Sequence, residues 1–308
     1  MGGMRYSTKV RLQRSRTNFI TFSTMTMAAR KRRFPLGLLL ALAIQITIPP
    51  NLSDYMPVEI EPPKLAVYSR CRTDRSGSVI QDMLLAHAYA YAHGLEYKGA
   101  CVEKELKWLE KHRALVKVLG LEDVLRFDAC SVPNAQRLSP DLYEGDFETY
   151  WTADWRDHIR SLRSNREAAA GDRVAVHVRR GDIRPCSKFG NRYLTNHHYL
   201  SILGESTNVT VFTERDPYES VADFRRRRYS VVVEGDEVAV WRAFLASNML
   251  VTSVSSFSYV PAVLKTVGTV VYTPYAGHPA MDDWIVVDDE ATSRNRDEVS
   301  AMRQREGC

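Results

Sequence analysis

Short, largely apolar runs punctuate the second half of the chain: Val174–Val178, Val209–Phe212, Ser230–Val233, Leu250–Thr252, Thr269–Tyr272 and Ile285–Val287. Runs of this length with little alternation predict strands covered on both faces. Between them, Asn196–Leu203, Tyr218–Arg227, Asp236–Ser247 and Tyr259–Thr266 carry helical spacing, and Gly204 ends the first. Strands alternating with short helices predict an α/β fold with a parallel sheet and right-handed crossovers. The first half is sparser. Leu65–Tyr68 reads as a strand and Ile80–His93 as a helix before Gly94. Glu103–Leu119 is an amphipathic helix with Leu106, Leu109, Leu115 and Val118 on one side and Gly120 beyond it. Residues 129–150, with Pro, Asp and aromatic residues, read as irregular. Residues 291–308, rich in Glu and Arg, read as a disordered tail.

Composition changes this picture mainly at the amino terminus. Hydrophobic residues make up 44% of the chain and charged residues 26%, as in an ordinary globular protein. The net charge of +5 is unevenly placed: residues 1–33 hold nine Lys or Arg and no acid. Taking those nine from 42 leaves 33 basic against 37 acidic residues, so the body is mildly acidic. A nucleic-acid binder would keep its positive charge on the fold. The basic tail 1–33 abuts an apolar run, Phe34–Ile48, that Pro49 and Pro50 end. A cationic flank before an apolar stretch is the pattern of a signal anchor, and 34–48 is read as an uncleaved one. A cleaved signal or an organellar transit peptide are the alternatives. The charge order places the rest of the chain on the lumenal side, as a single-pass type II protein of the Golgi or ER membrane. Sequons at Asn51 and Asn208 are compatible with that side. Residues 49–64 read as a proline-bearing stem. Cys71, Cys101, Cys130, Cys186 and Cys308 show no CxxC spacing, which argues against zinc. One or two disulfides are expected, with Cys308 the odd one out.

The chemistry concentrates where Val174–Val178 runs into Arg179-Arg180-Gly181-Asp182. Ligands of open parallel sheets sit at the carboxyl ends of strands. Two adjacent arginines there suit a diphosphate, because a guanidinium is a fixed fork of donors that stays charged. Gly181 lets the backbone turn closely, and Asp182 holds an arginine in its working rotamer. Further on, Ser255-Ser256-Phe257-Ser258 follows a strand and opens a helix, so free amides should face the same sheet edge.

At these residues the chain resembles the α1,2-, α1,6- and protein O-fucosyltransferase superfamily. His177-Val178-Arg179-Arg180-Gly181-Asp182 is similar to its first motif, His-x-Arg-Arg-x-Asp. Val211-Phe212-Thr213-Glu214-Arg215-Asp216-Pro217 resembles a strand-end Thr-Asp-Asp-Pro motif, and Leu250 to Ser258 resembles an Asn-Ser-Ser-Phe-Ser motif. The three span about residues 172–272 in the family's order. Ser76-Gly77-Ser78-Val79-Ile80-Gln81 echoes the family's amino-terminal glycine loop, with Ile80 where that loop has Asn.

The resemblance implies a GT-B-like α/β fold of two Rossmann-like domains, with an acceptor-side domain at 65–170 and a donor-binding domain at 171–290. It implies inverting transfer of L-fucose from GDP-fucose to a hydroxyl of a glycan or glycoprotein, with no cofactor and no metal. Arg179 would bind the donor β-phosphate and be essential. Arg180 would support it, and Asp182 would keep the arginines in place. His177 and Asp216 would hold guanine and ribose. Arg215 stands where an acid is common, so the guanine contact falls to Glu214 or Asp216. Ser255 and Ser256 would bind phosphate. No catalytic base stands out; Asp82 and Glu214 are candidates. Three other readings remain. One is a metal-dependent transferase using Asp282-Asp283 or Asp288-Asp289. The second is a non-catalytic binding relic of the same fold. The third is a sulfotransferase, which would need a Lys- or Gly-rich phosphosulfate loop near the amino terminus that the chain does not show.

Overall fold

A computed structural model describes residues 64–103, 108–165, 171–275 and 277–308. The basic tail, the anchor at 34–48 and all but the last residue of the stem lie outside these. No helix among the described residues is long and apolar enough to cross a membrane.

The amino-terminal part builds a three-stranded parallel sheet, order β2-β1-β3, from β1 (Ala66–Arg70), β2 (Glu96–Cys101) and β3 (Gln136–Arg137). Helix α1 (Ser76–Ala92) crosses from β1 to β2, and α2 (Leu109–Leu119) follows, ended by Gly120 at a φ of 67°. A left-handed residue there closes the helix as glycine does most cheaply. Two short helices complete this part, α3 (Phe147–Tyr150) and α4 (Ala153–Ser161), capped by Asp146 and Thr152. The second half is a six-stranded parallel sheet. It comprises β4 (Val174–Val178), β5 (Val209–Thr213), β6 (Ser230–Val233), β7 (Met249–Val251), β8 (Thr269–Tyr272) and β9 (Ile285–Val286). Its order is β6-β5-β4-β7-β8-β9. Helices α5 (Asn196–Leu203), α6 (Ala222–Arg226), α7 (Glu237–Ala246) and α8 (Ser256–Leu264) make the crossovers. Strand β4 is buried at every position, which is why its sequence shows no alternation.

One continuous apolar cluster joins the two sheets. It runs from Val67 through α1 and α2 to Trp155, Trp241, Phe244, Tyr259 and Trp284. Helices α1 and α8 meet closely at their starts. A Cβ on Gly77 would come within 2.7 Å of the Phe257 amide nitrogen, so that crossing requires glycine.

Three expectations change, and one strand had none. The segment 291–308 is not a disordered tail: α9 (Asp289–Glu306) occupies it, capped by Asp288 and closed by Gly307 at a φ of 75°. Only Asn295, Val299 and Met302 of that helix are buried, a stripe too narrow to stand out in a polar sequence. Cys308 is not the odd cysteine. It bonds Cys186, Cys101 bonds Cys130, and the buried Cys71 is free. Strand β2 passed unseen because Glu-Tyr-Lys-Gly-Ala-Cys is half polar. Helix α6 is a five-residue remnant of the predicted Tyr218–Arg227, because Tyr218–Glu219 is drawn into a network of side chains described below.

Candidate functional site

The chain enters the large sheet at β4, winds outward to β6, then returns to β7 on the other flank of β4. This is the doubly wound order in which a crevice opens at the carboxyl ends of the two strands where winding reverses. Here those strands are β4 and β7. Two loops meet at the crevice, 179–182 leaving β4 and 252–255 leading from β7 into α8.

Arg179 joins them. Its Nη1 donates to Ser255 Oγ, and its Nη2 donates to Asp182 Oδ2 at 2.8 Å. Its Nε is buried and has no partner among the described residues. Ser255 is also the N-cap of α8, accepting from the Phe257 amide at 3.3 Å. The Ser256 amide, at the first position of that helix, has no intrahelical acceptor. Guanidinium, hydroxyl and helix start therefore converge on one point, where the helix dipole adds positive potential.

The turn around them is tightly supported. Gly181 sits at a φ of 74°, and a Cβ there would lie 2.6 Å from Glu214 Oε2. Asp182 is held by Arg179 and by Arg75 Nη1 at 3.2 Å, the latter from the start of α1. Burial raises the Asp182 pKa, but the hydrogen bond and charge of Arg179, with Arg75, outweigh it and hold the carboxyl below its ordinary value. Burial pushes the Glu214 carboxyl up, only partly offset by Arg75. His177 lies under the crevice between Phe244 and Phe257, with Nδ1 2.7 Å from Ser253 Oγ. Burial, then the charges of Arg179 and Arg180, lower its pKa to about 3, so the imidazole is neutral at working pH.

Arg180 points elsewhere. It is 2% exposed, and every contact is inward. Its Nε pairs with Asp216 Oδ2 at 2.6 Å, and its Nη2 meets Glu219 Oε2 and Asn196 Oδ1, each at 2.9 Å. Its guanidinium lies over the Tyr193 ring, 4.3 Å from the centroid, and Tyr193 Oη also donates to Asp216. Burial raises the Glu219 carboxyl's pKa, and Arg180 pulls it back. Of the residues singled out in the sequence, His177, Arg179, Asp182, Glu214, Ser255 and Ser256 gather at the crevice. Arg180 and Asp216 instead pair with each other in a buried network behind it. That network locks the turn from which Arg179 projects.

Several participants had no sequence signal. Arg192 donates twice to Val254 O, at 2.9 and 3.2 Å, and steadies the serine loop. Burial, then the nearby charge of Arg179, lower its pKa. Tyr193, Asn196 and Glu219 complete the Arg180 network. Helix α9 braces all of this, because Asn295 accepts from the Thr195 amide at 2.8 Å and donates to Tyr193 O at 3.1 Å. The two acidic pairs near the carboxyl terminus have structural partners: Asp283 takes Arg156 Nη1, and Asp288 caps α9. Among the described residues no three His, Cys, Asp or Glu side chains gather as metal ligands would.

The fold defines a class: a doubly wound parallel α/β protein, with a guanidinium, a hydroxyl and a helix start converging at the crevice where the winding reverses. No family model matches the chain, and no curated protein does. Among solved structures it is similar to E. coli heptosyltransferase WaaC with ADP-2-deoxy-2-fluoro heptose, at 12% identity over 79% of this chain and 100% of that one, with a TM-score of 0.40. The same enzyme with ADP matches at 11% identity over 79% and 99%, TM-score 0.40. The bacterial iron-containing dodecameric glycosyltransferase TibC from enterotoxigenic E. coli matches at 12% identity over 68% and 61%, TM-score 0.36. These likenesses are loose.

Proposed function

We propose that this chain is a glycosyltransferase that moves L-fucose from GDP-fucose to a hydroxyl of a glycan or glycoprotein, inverting the sugar's configuration. The observation that carries the reading is the meeting of Arg179 with Ser255 at the reversal point of the large sheet. When the sugar–oxygen bond of such a donor breaks, negative charge builds on the departing diphosphate. Arg179, Ser255 Oγ and the Ser256 amide form a preorganised set of donors for that charge. Asp182 and Ser255 would hold the guanidinium in place as the diphosphate meets it. The choice of a guanine nucleotide and of fucose rests on the resemblance of the segments around Arg179 and Ser255 to the fucosyltransferase motifs; Asp216, turned into the Arg180 network, adds nothing to it. Two disulfides in a body of this size suit an oxidising compartment. They support a lumenal body; the anchor at 34–48 rests on the sequence pattern alone.

The test uses the full chain in detergent. GDP, UDP and ADP are compared for their effect on the melting temperature, and sugar nucleotides are screened for release of nucleotide with and without chelator. GDP at about 100 times its Kd should stabilise the fold by about 2.7 kcal/mol. Absence of any shift together with absence of any cleavage would overturn the proposal. A shift with UDP alone would reassign the donor.

A further inference from the structure

Three arginines donate to the backbone at the two ends of α8. At the carboxyl end, Arg160 reaches Val263 O at 3.0 Å and Arg163 reaches Leu264 O at 2.7 Å. The helix dipole favours cations there. Arg192 stands at the other end. Its Nε and Nη2 both donate to Val254 O, directly before the N-cap Ser255. At a helix start the dipole works against a cation.

Arg179 adds to that penalty. It is anchored on Ser255, the next residue along, and after burial its charge is the main influence lowering the Arg192 pKa. No carboxylate answers. Half-buried Arg192 makes no ion pair among the described residues. Asp182 is already shared by Arg179 and Arg75, and it is the least of the influences on Arg192. The rings of Phe189 and Tyr275 flank the guanidinium with centroids at 6.0 and 5.9 Å. Contacts at that outer limit return only part of the cost. The Tyr275 hydroxyl brings no charge, because burial, then Tyr272, hold its pKa well above the ordinary value against the pull of Arg192 and Arg179. Two guanidiniums on adjacent residues of one loop, at a helix start and with one shared acid between them, leave positive charge unanswered.

We infer that Arg192 is the second arm of a diphosphate clamp, binding one phosphate while Arg179 binds its neighbour. It fills the supporting part that Arg180, turned inward on Asp216 and Glu219, does not. The inference rests on the reading of the donor as a nucleoside diphosphate sugar. Its geometry follows from the anchors. Val254 and Ser255 are consecutive, so the two guanidiniums are tethered at points about 3.8 Å apart along the backbone. Adjacent phosphates joined by a single oxygen suit that spacing. A fork of donors on each phosphate gives the grip, and the ligand's charge relieves the repulsion between the two cations.

The experiment measures binding to the full chain in detergent, from the ligand dependence of the melting temperature, for GDP, inorganic pyrophosphate and inorganic phosphate. Wild type is compared with Arg192→Gln, which keeps a donor for Val254 O without the charge, and with Arg192→Lys, which keeps the charge without the fork. Arg192→Gln should bind GDP about 10-fold or more weakly, the worth of a hydrogen bond to a charged group. It should also reduce the preference for pyrophosphate over phosphate by a similar factor. A free phosphate can settle on the remaining Arg179, whereas pyrophosphate needs both arms. Arg192→Lys should fall between. If Arg192 only steadied the serine loop, pyrophosphate and phosphate would weaken alike and their ratio would hold. A GDP affinity or a pyrophosphate-to-phosphate ratio within threefold of wild type in Arg192→Gln, or in Arg192→Lys should the first not fold, overturns this inference and leaves the proposed function standing. A wild type that binds no nucleotide and cleaves no sugar nucleotide overturns both.

Discussion

Replacing Arg180 by leucine strands two carboxylates at once. Asp216 has a side chain 4% exposed and Glu219 one 16% exposed, and both lean on the same guanidinium. Removing one partner of a buried ion pair costs about 3–5 kcal/mol, since the other charge is left without compensation. Tyr193 Oη still donates to Asp216 and the Asn196 amide to Glu219 at 2.8 Å, which keeps the loss within that range although two carboxylates are involved. For a folded body of this size each kcal/mol is worth about 2–4 °C, so the melting temperature should fall by roughly 6–20 °C. The pH dependence gives a second handle. Burial already raises the Glu219 pKa, and without Arg180 it rises further. A carboxyl with a raised folded-state pKa costs nothing below its unfolded value, and its cost grows as pH climbs through the folded value. The deficit should therefore be larger at pH 8 than at pH 5. Arg180→Lys keeps a charge but loses the fork and the stacking on Tyr193, so it should fall between. Thermal unfolding followed by far-ultraviolet circular dichroism, with disulfides intact, reads all three proteins. A loss under 1 kcal/mol, or one that does not change with pH, would refute the reasoning that this arginine is a structural post.

Its neighbour should behave in the opposite way. Arg179→Lys is expected to keep the melting temperature within a few degrees while cutting nucleotide release by about 100-fold or more, because a point charge cannot reproduce the fork; turnover assays and melts on the same samples check it. Gly181→Ala should destabilise by roughly 1–2 kcal/mol, because the turn needs a positive φ that an L side chain resists; a chemical melt measures it. Cys308→Ser opens a link between positions 122 residues apart and should cost about 2–5 kcal/mol. Thiol titration of the unfolded, unreduced chain should count one thiol in wild type, Cys71, and two in that variant.

The large sheet was legible because its signal is local. A strand covered on both faces must be apolar throughout, so Val174–Val178 and Thr269–Tyr272 announce themselves in any context. The caps are local too: Ser255 before α8 and Asp236 before α7 satisfy amides within three residues of themselves. The crevice followed from the same logic, since residues that directly follow buried strands of a parallel sheet must lie at its carboxyl edge. Arg179, Asp182 and Ser255 needed no further information to be placed there.

Direction was not local. Arg179 and Arg180 are adjacent and chemically identical, yet one faces the crevice and the other is sealed between Asp216, Glu219, Asn196 and Tyr193. Successive residues leaving a strand point to opposite sides. Which side faces the crevice and which the network depends on partners 16 to 39 positions away. Helix α9 was invisible for a related reason: its buried stripe is three residues wide, and it is held by a disulfide to Cys186 and by Asn295 against the chain near Tyr193. Periodicity and strand ends, properties of neighbours along the chain, were determined by the sequence alone. The pairing, burial and acidity of single charged groups came from contacts that only tertiary structure creates.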